Sequence, residues 1–158
     1  MYFSESTDEL PDPATVRSMS GLEFMQRVHD GTLPQPPIAR LLNFQLDEVA
    51  PGRVVFRGTP SFDHMNPMGG VHGGWYGALL DSCMACAVMT KVPKGAVYTT
   101  LEYKINITRA IPPGVEILAT GWTDHVGRST GVAHGEMRGT DDGRLFATGS
   151  TTCLIMGT

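Results

Sequence analysis

A single carboxylate, Asp81, interrupts the otherwise apolar run from Trp75 to Met89, within the stretch NPMGGVHGGWYGALLDSCMACAVM at residues 66–89. A charged side chain is almost never fully buried without a partner or a task. Asp81 therefore marks either a structural pairing or a place where a proton or an electron pair is handled. Just upstream, Gly69, Gly70, Gly73 and Gly74 flank His72 where a helix should begin. Glycines there let backbone N–H groups approach a ligand closely, and the first turn of a helix holds unpaired donors at the positive end of its dipole. Such a turn suits an oxyanion, either a phosphate or the charge that develops on a carbonyl oxygen. It has neither the GxxxxGK[ST] nor the GxGxxG pattern, so a nucleotide cradle of those kinds is not expected. Asn66, preceding Pro67, reads as a turn residue or as a further group of the same site.

Asp81 lies eight residues beyond Gly73, which on a helix is roughly 12 Å along the axis. That is too far to act on something held at its own chain's first turn. If both features serve one site, the carboxylate comes from a second copy whose helix runs antiparallel to the first, and the chain is a dimer with two shared sites. His72 suggests a Ser-His-Asp arrangement, but no GxSxG elbow accompanies it, and its ring at the turn can simply hold the loop. Cys83 and Cys86 have CxxC spacing in the third turn of an apolar helix, whereas reactive pairs sit at helix N-termini. With no second ligand pair, zinc is not expected there. Of the five histidines only His64 and His72 are near each other, so no metal site is expected. Arg109 ends a strand and Arg128 sits in a Gly127 turn; both places suit solvated charges, and both forks of donors also suit a phosphate. Trp75, Tyr76, Met84 and Met89 read as core, some of them available to wall a channel.

The elements that would hold these residues follow from the pattern. At 158 residues the chain is long enough for one domain with a real core. Residues 1–37 read as an N-terminal arm, polar and proline-broken at first and then a short amphipathic helix in SGLEFMQRVHDG, where Ser20 and Glu23 have capping-box spacing. LPQPP reads as an extended linker. From residue 38 to 158 the texture is strands around one helix. Two apolar-rich runs flank Pro51-Gly52, a helix spans about Gly73 to Lys91, and four strand candidates follow as an antiparallel meander. The first of these, TLEYKINI, alternates, with Leu101, Tyr103, Ile105 and Ile107 on one face and Thr100, Glu102, Lys104 and Asn106 on the other. A helix that is apolar nearly all round must be enclosed, and an antiparallel sheet offers one apolar face to enclose it. The expected architecture is α+β, the sheet curling around the helix and leaving edges for a second copy to pair with.

The balance of 12 basic and 16 acidic residues gives a net charge of −4, which does not fit wrapping a nucleic acid. The longest apolar run is broken by Asp81 and short for a bilayer, so no membrane partner is expected. The first residues carry no basic region followed by an apolar one. Three cysteines form no disulfide framework, and a cytoplasmic setting fits.

The pattern Asn66, Gly69, His72-Gly73-Gly74, Leu80-Asp81, followed by TLEYKINITRAIPPG and the turn VGRS, resembles the PaaI-type acyl-CoA thioesterases of the hotdog fold over residues 38–156. Ala110 departs from it, where many relatives carry proline. The resemblance implies a hotdog fold, homodimers that often pair into tetramers, and hydrolysis of acyl-CoA thioesters with no metal or separate cofactor, coenzyme A being part of the substrate. It implies Asp81 as general base or nucleophile, the Gly73 N–H as the group polarising the thioester carbonyl, and Asn66 as a positioning group. A hydroxyl at Thr100 would lie near the attacking water, although a one-residue slip would substitute Thr99. His72 and Gly74 fall at the substrate, and Arg109 and Arg128 would hold the nucleotide end of coenzyme A. Two rivals share the fold, a binding module that holds acyl-CoA without hydrolysing it and a hydratase or dehydratase acting on the acyl chain. Retention of both Asn66 and Asp81 argues against the first, and the VHGGWYGALLD motif argues against the second.

Overall fold

Capping side chains and prolines punctuate the N-terminal segment of the computed structural model, which describes residues 2–157. Asp12 caps helix α1 (Pro13–Arg17) by accepting the Thr15 N–H at 2.7 Å. Ser20 caps α2 (Gly21–His29) by accepting the Glu23 N–H at 3.2 Å, while Glu23 turns its own side chain to Arg27 at 2.7 Å, so only half of the expected capping box forms. The first residues are docked more closely than their composition suggests. Phe3 bridges Gln35 in parallel, the Ser4 N–H donates to the Gln35 carbonyl at 3.1 Å, and Ser4 is fully buried. Met25 and Val28 of α2 join the main core. A short helix α3 (Pro37–Leu41) replaces the end of the expected extended linker, because Pro37 occupies the first helical position, where its fixed φ and missing N–H cost nothing.

Strands β1 (Phe44–Ala50) and β2 (Arg53–Gly58) form the expected hairpin, with Gly52 at φ +76° in the turn. The central helix α4 runs Gly73–Met89, two residues shorter than expected. Strands β3 (Val97–Ile107), β4 (Ile117–Val126), β5 (Thr130–Gly139) and β6 (Leu145–Met156) complete one six-stranded antiparallel sheet in the order β1-β2-β4-β5-β6-β3. The expected meander of four is thus a meander of three, with β3 placed beside β6 at the far edge. Residues 108–116 between β3 and β4, with Pro112 and Pro113, are too long for a tight hairpin and make a crossover instead.

Leu79, Leu80, Cys83, Met84, Ala87 and Val88 of α4 are fully buried, and each buried leucine contributes roughly 1.5–3 kcal/mol. The sheet approaches closely because it is small-sided where the helix is large. A β-carbon added at Gly121 of β4 would collide with the Cys83 carbonyl, and one at Gly135 of β5 would come within 2.8 Å of Met84. α4 is the longest helix, and no helix among the described residues is long and apolar enough to cross a membrane.

The edge strand β3 corrects the expected facing of its residues. Its register against β6 shifts between Thr100 and Glu102, a bulge at Leu101. Thr100 pairs with Cys153 and Tyr103 with Thr151, both partners buried on the helix side. The bulge therefore brings Tyr98 and Thr100 onto the same inner face as Tyr103, Ile105 and Ile107, where strict alternation had set Thr100 opposite them. Leu101, Tyr103 and Ile107 remain exposed along this edge.

Candidate active site

The loop before α4 is built around Asn66. Its Oδ1 accepts the Met68 N–H at 2.9 Å and the Gly70 N–H at 3.2 Å, and its carbonyl accepts the Gly69 N–H at 3.0 Å. Gly69 sits at φ +82°, a conformation that favours glycine. His72 is the N-cap of α4, with Nδ1 accepting the Gly74 N–H at 2.9 Å, and the Trp75 N–H donates to the His72 carbonyl. Those bonds occupy two of the helix's orphan donors. The Gly73 N–H makes no hydrogen bond among the described residues, and a β-carbon there would meet only Ile107, at 3.7 Å. One open donor at the positive end of a 17-residue helix is what an oxyanion needs. Asn66 Nδ2 is also without a partner among the described residues, since the bonds of this side chain are made through Oδ1.

Asp81 is partly buried at the middle of α4 and accepts a hydrogen bond from Thr100 Oγ1 at 3.0 Å on Oδ1. Burial pushes its carboxyl above the ordinary value, and the Thr100 hydroxyl pulls it partway back. The result is a carboxylate with one oxygen oriented, raised toward the range in which a base is useful. Between this pair and the glycine loop, Tyr103 lies across Gly77, its hydroxyl 3.1 Å from where a β-carbon would be. Tyr103 and Tyr98 flank Asp81 and Thr100 from β3; the sequence pattern read Tyr103 only as a strand residue and did not extend the strand to Tyr98. The alternating pattern gave no signal for either, because the bulge decides which way they face.

The predicted residues thus fall into two groups on one chain. Asn66, Gly69, Gly70, His72, Gly73 and Gly74 converge at the start of α4, while Asp81 and Thr100 meet two turns along it. Arg109 follows β3 beyond Ile107, at the Gly73 end, in a shallow depression shared with Asp141, Asp142 and Arg144. Arg128 lies in the β4–β5 turn, and the adjoining Gly131 packs on Val88 in the last turn of α4, so the two arginines stand at opposite ends of the helix. His64 is structural. It accepts the Ser61 N–H at 2.9 Å on Nδ1 and bonds the Leu41 carbonyl through Nε2 at 3.1 Å. Cys83, Cys86 and Cys153 are free, and burial pushes the Cys86 thiol up to about 12. No cluster of three or more His, Cys, Asp or Glu side chains able to hold a metal occurs among the described residues.

Comparison with known proteins adds an independent line. A variant of the phenylacetic acid degradation protein PaaI from Thermus thermophilus is 27% identical, covers 75% of this chain and 97% of its own, and superposes with a TM-score of 0.68. A thioesterase family protein from Silicibacter pomeroyi is 24% identical over 85% of this chain and 99% of its own, with a TM-score of 0.75. A hypothetical thioesterase protein from Streptococcus pneumoniae, with coenzyme A, is 24% identical over 73% and 90%, with a TM-score of 0.66. No curated protein sequence matches the chain. The family model of the thioesterase superfamily matches residues 68–146, half of the sequence, from the glycine loop through α4 to the start of β6. With a six-stranded antiparallel sheet around one long helix and relatives that include PaaI, the chain belongs to the thioesterase superfamily and has the hotdog fold.

Proposed function

We propose that the protein hydrolyses acyl-CoA thioesters as a homodimer with two shared active sites. The observation that carries this reading is the Thr100–Asp81 hydrogen bond on a partly desolvated carboxylate of the central helix. The Streptococcus pneumoniae structure with coenzyme A supports the choice of thioester. In the proposed site the thioester carbonyl oxygen rests on the Gly73 N–H of one subunit, with Asn66 Nδ2 beside it, while Asp81 of the partner subunit faces the carbonyl carbon. With Oδ1 held by Thr100, the other carboxylate oxygen takes a proton from water as that water attacks. Charge builds on the carbonyl oxygen, where the helix N-terminus stabilises it. The C–S bond then breaks, the proton passes to the departing coenzyme A thiolate, and the free acid remains. Direct attack by Asp81 through a mixed anhydride uses the same geometry.

The exposed apolar side chains Leu101, Tyr103 and Ile107 along the unpaired edge of β3 are the surface that a second copy would cover. Antiparallel pairing there would bring Arg128 of one subunit toward the Arg109 end of the other, giving the phosphates of coenzyme A two guanidinium groups. Such dimers can pair again into tetramers. The Gly74 N–H is held by His72 Nδ1 and so shapes the loop, whereas His72, with Nδ1 accepting, carries its proton on Nε2 and keeps that donor free for the substrate. Side chains and backbone alone carry the reaction, so no metal or separate cofactor is assigned to it, and three free cysteines suit a reducing, cytoplasmic setting.

Release of free thiol from a panel of short, medium and aryl acyl-CoAs tests the proposal, with Asp81→Asn measured beside the wild type. The expected outcome is turnover by the wild type and a loss of roughly 10²- to 10⁴-fold in the variant, the range for a general base. Unchanged turnover in Asp81→Asn removes it from the mechanism. No release by either protein, with tight acyl-CoA binding by both, makes the chain a binding module.

A further inference from the structure

The sheet curls around α4 without closing, leaving β1 and β3 as its edge strands; α2 packs on β1 and α4, and residues of the N-terminal segment share one cavity with Tyr98 of β3. This cavity is apolar and measures about 240 Å³. Leu10, Phe24, Met25 and Val28 form its roof. Phe44 and Leu46 of β1 wall one side, and Ser82, Cys86 and Tyr98 wall the other. Ser82 follows Asp81 directly, and Tyr98 lies two residues before Thr100 on the same inner face of β3. The cavity therefore begins beside the proposed base and runs away from it toward β1.

Protein interiors are close-packed, and a void of this size lined by large apolar groups is a place for something else. A second feature says what. Gln35 lines the β1 side, is fully buried, and its Oε1 accepts the Leu46 N–H at 3.1 Å, which fixes the amide's orientation. Its Nε2 has no hydrogen-bond partner among the described residues. Gln35 borders the apolar chamber, and an unpaired buried amide donor at its edge would be satisfied by an acceptor on whatever enters.

We infer that this cavity holds the acyl group of the substrate, and that the N-terminal segment, which lies outside the family match at residues 68–146, sets its size and chemistry. The inference rests on the thioesterase reading. The volume, below the roughly 300–1,000 Å³ of sites for drug-sized ligands, fits a compact acyl group of short to medium length. The Gln35 amide selects one bearing an oxygen acceptor, such as a ketone, at the end remote from the thioester.

The test compares kcat/KM for acetyl-, hexanoyl-, 5-oxohexanoyl- and octanoyl-CoA. The wild type is expected to favour 5-oxohexanoyl over hexanoyl by about fivefold or more, the net worth of one hydrogen bond, and Gln35→Glu, which keeps the acceptor for Leu46 but removes the amide donor, is expected to erase that preference. Val28→Trp, filling the roof, should lower the hexanoyl-to-acetyl ratio about tenfold or more, the worth of one or two methylenes in a pocket. Phe24→Ala, only partly buried and so tolerant of truncation, should shift the optimum toward octanoyl. A ratio unmoved by both roof variants overturns the cavity as the acyl site, and equal rates on hexanoyl and 5-oxohexanoyl overturn the part given to Gln35. If the wild type hydrolyses no thioester, the thioesterase reading fails on its own. Calorimetric titration with hexanoyl- and acetyl-CoA then decides the cavity separately. Tighter binding of hexanoyl-CoA that Val28→Trp erases sustains it, and equal binding overturns it.

Discussion

Asp81 and Thr100 work as a pair in which geometry and charge state are linked. Because burial raises the Asp81 carboxyl and the Thr100 hydroxyl lowers it again, Thr100→Val should raise it further. If Asp81 acts as a base, the rate climbs as it ionises, and the acidic limb of a pH–rate profile should have its midpoint above the ordinary carboxylate value near 3.9. In Thr100→Val that limb should move to still higher pH, and a limb that stays in place would remove Thr100 from the tuning of the base. The same shift has a cost in stability. Between the ordinary value and the raised one, the folded state holds more protons than the unfolded chain, so stability falls as pH rises through that window. Asp81→Asn should remove this loss and melt higher than the wild type at neutral pH, while melting alike below the window. At this scale much was legible beforehand, since a lone carboxylate in an apolar helix and a glycine-rich turn announce themselves by composition. That Thr100 rather than Thr99 meets Asp81 agrees with the residue the resemblance named, but alternation alone set Thr100 on the opposite face, because the deciding feature is a one-residue bulge at Leu101 that a period of two does not encode.

The central helix and the sheet fit because volume is exchanged between them. Gly121 of β4 faces the backbone of α4 at Cys83, and rigid backbone gives way less readily than a side chain. Gly121→Ala should therefore destabilise by about 3 kcal/mol, the upper end for overpacking. Gly69→Ala, where nothing lies within 4 Å of an added β-carbon, should cost only the strain of its left-handed backbone, about 1–2 kcal/mol. Denaturant midpoints of the two variants give the comparison directly. Elements of this kind were readable wherever a local signal defines them. Ser20 starts α2, Pro51-Gly52 turns β1 into β2, and the unbroken apolar run makes α4. Strand order was not local. The partner of β3 depends on a crossover that carries it past the meander to β6, and no residue of β3 specifies that choice. The docking of the N-terminal segment was hidden for a related reason. Its anchors, the Phe3–Gln35 bridge and the burial of Ser4 and Gln35, join positions about thirty residues apart in stretches that look like linker.

For the whole molecule the decisive quantity is the distance between its two chemical groups. Eight helical residues separate the open Gly73 N–H from Asp81, roughly 12 Å, so if the first polarises the carbonyl and the second is the base, as proposed, one chain cannot bring both to one thioester. If subunits share sites, two inactive variants should complement each other. Asp81→Asn removes the base. Gly73→Pro removes only the donor, since Gly73 is the first residue of α4, where proline is favoured, and His72 before it has φ −64° and ψ 138°, an extended conformation that proline accepts. In a mixed dimer, the Gly73 N–H of the Asp81→Asn subunit would face the intact Asp81 of the other, giving one working site, while the second site carries both lesions. Random reassortment makes half of all dimers mixed, so an equal mixture should recover about a quarter of wild-type activity. Each variant alone should remain inactive, and both should run in solution at the mass of a dimer. Recovery near that level after unfolding and refolding together would locate each site across two chains. No recovery, with both variants folded and mixed dimers present, would place the whole reaction within one subunit and require α4 to present Asp81 to a carbonyl held elsewhere than on Gly73.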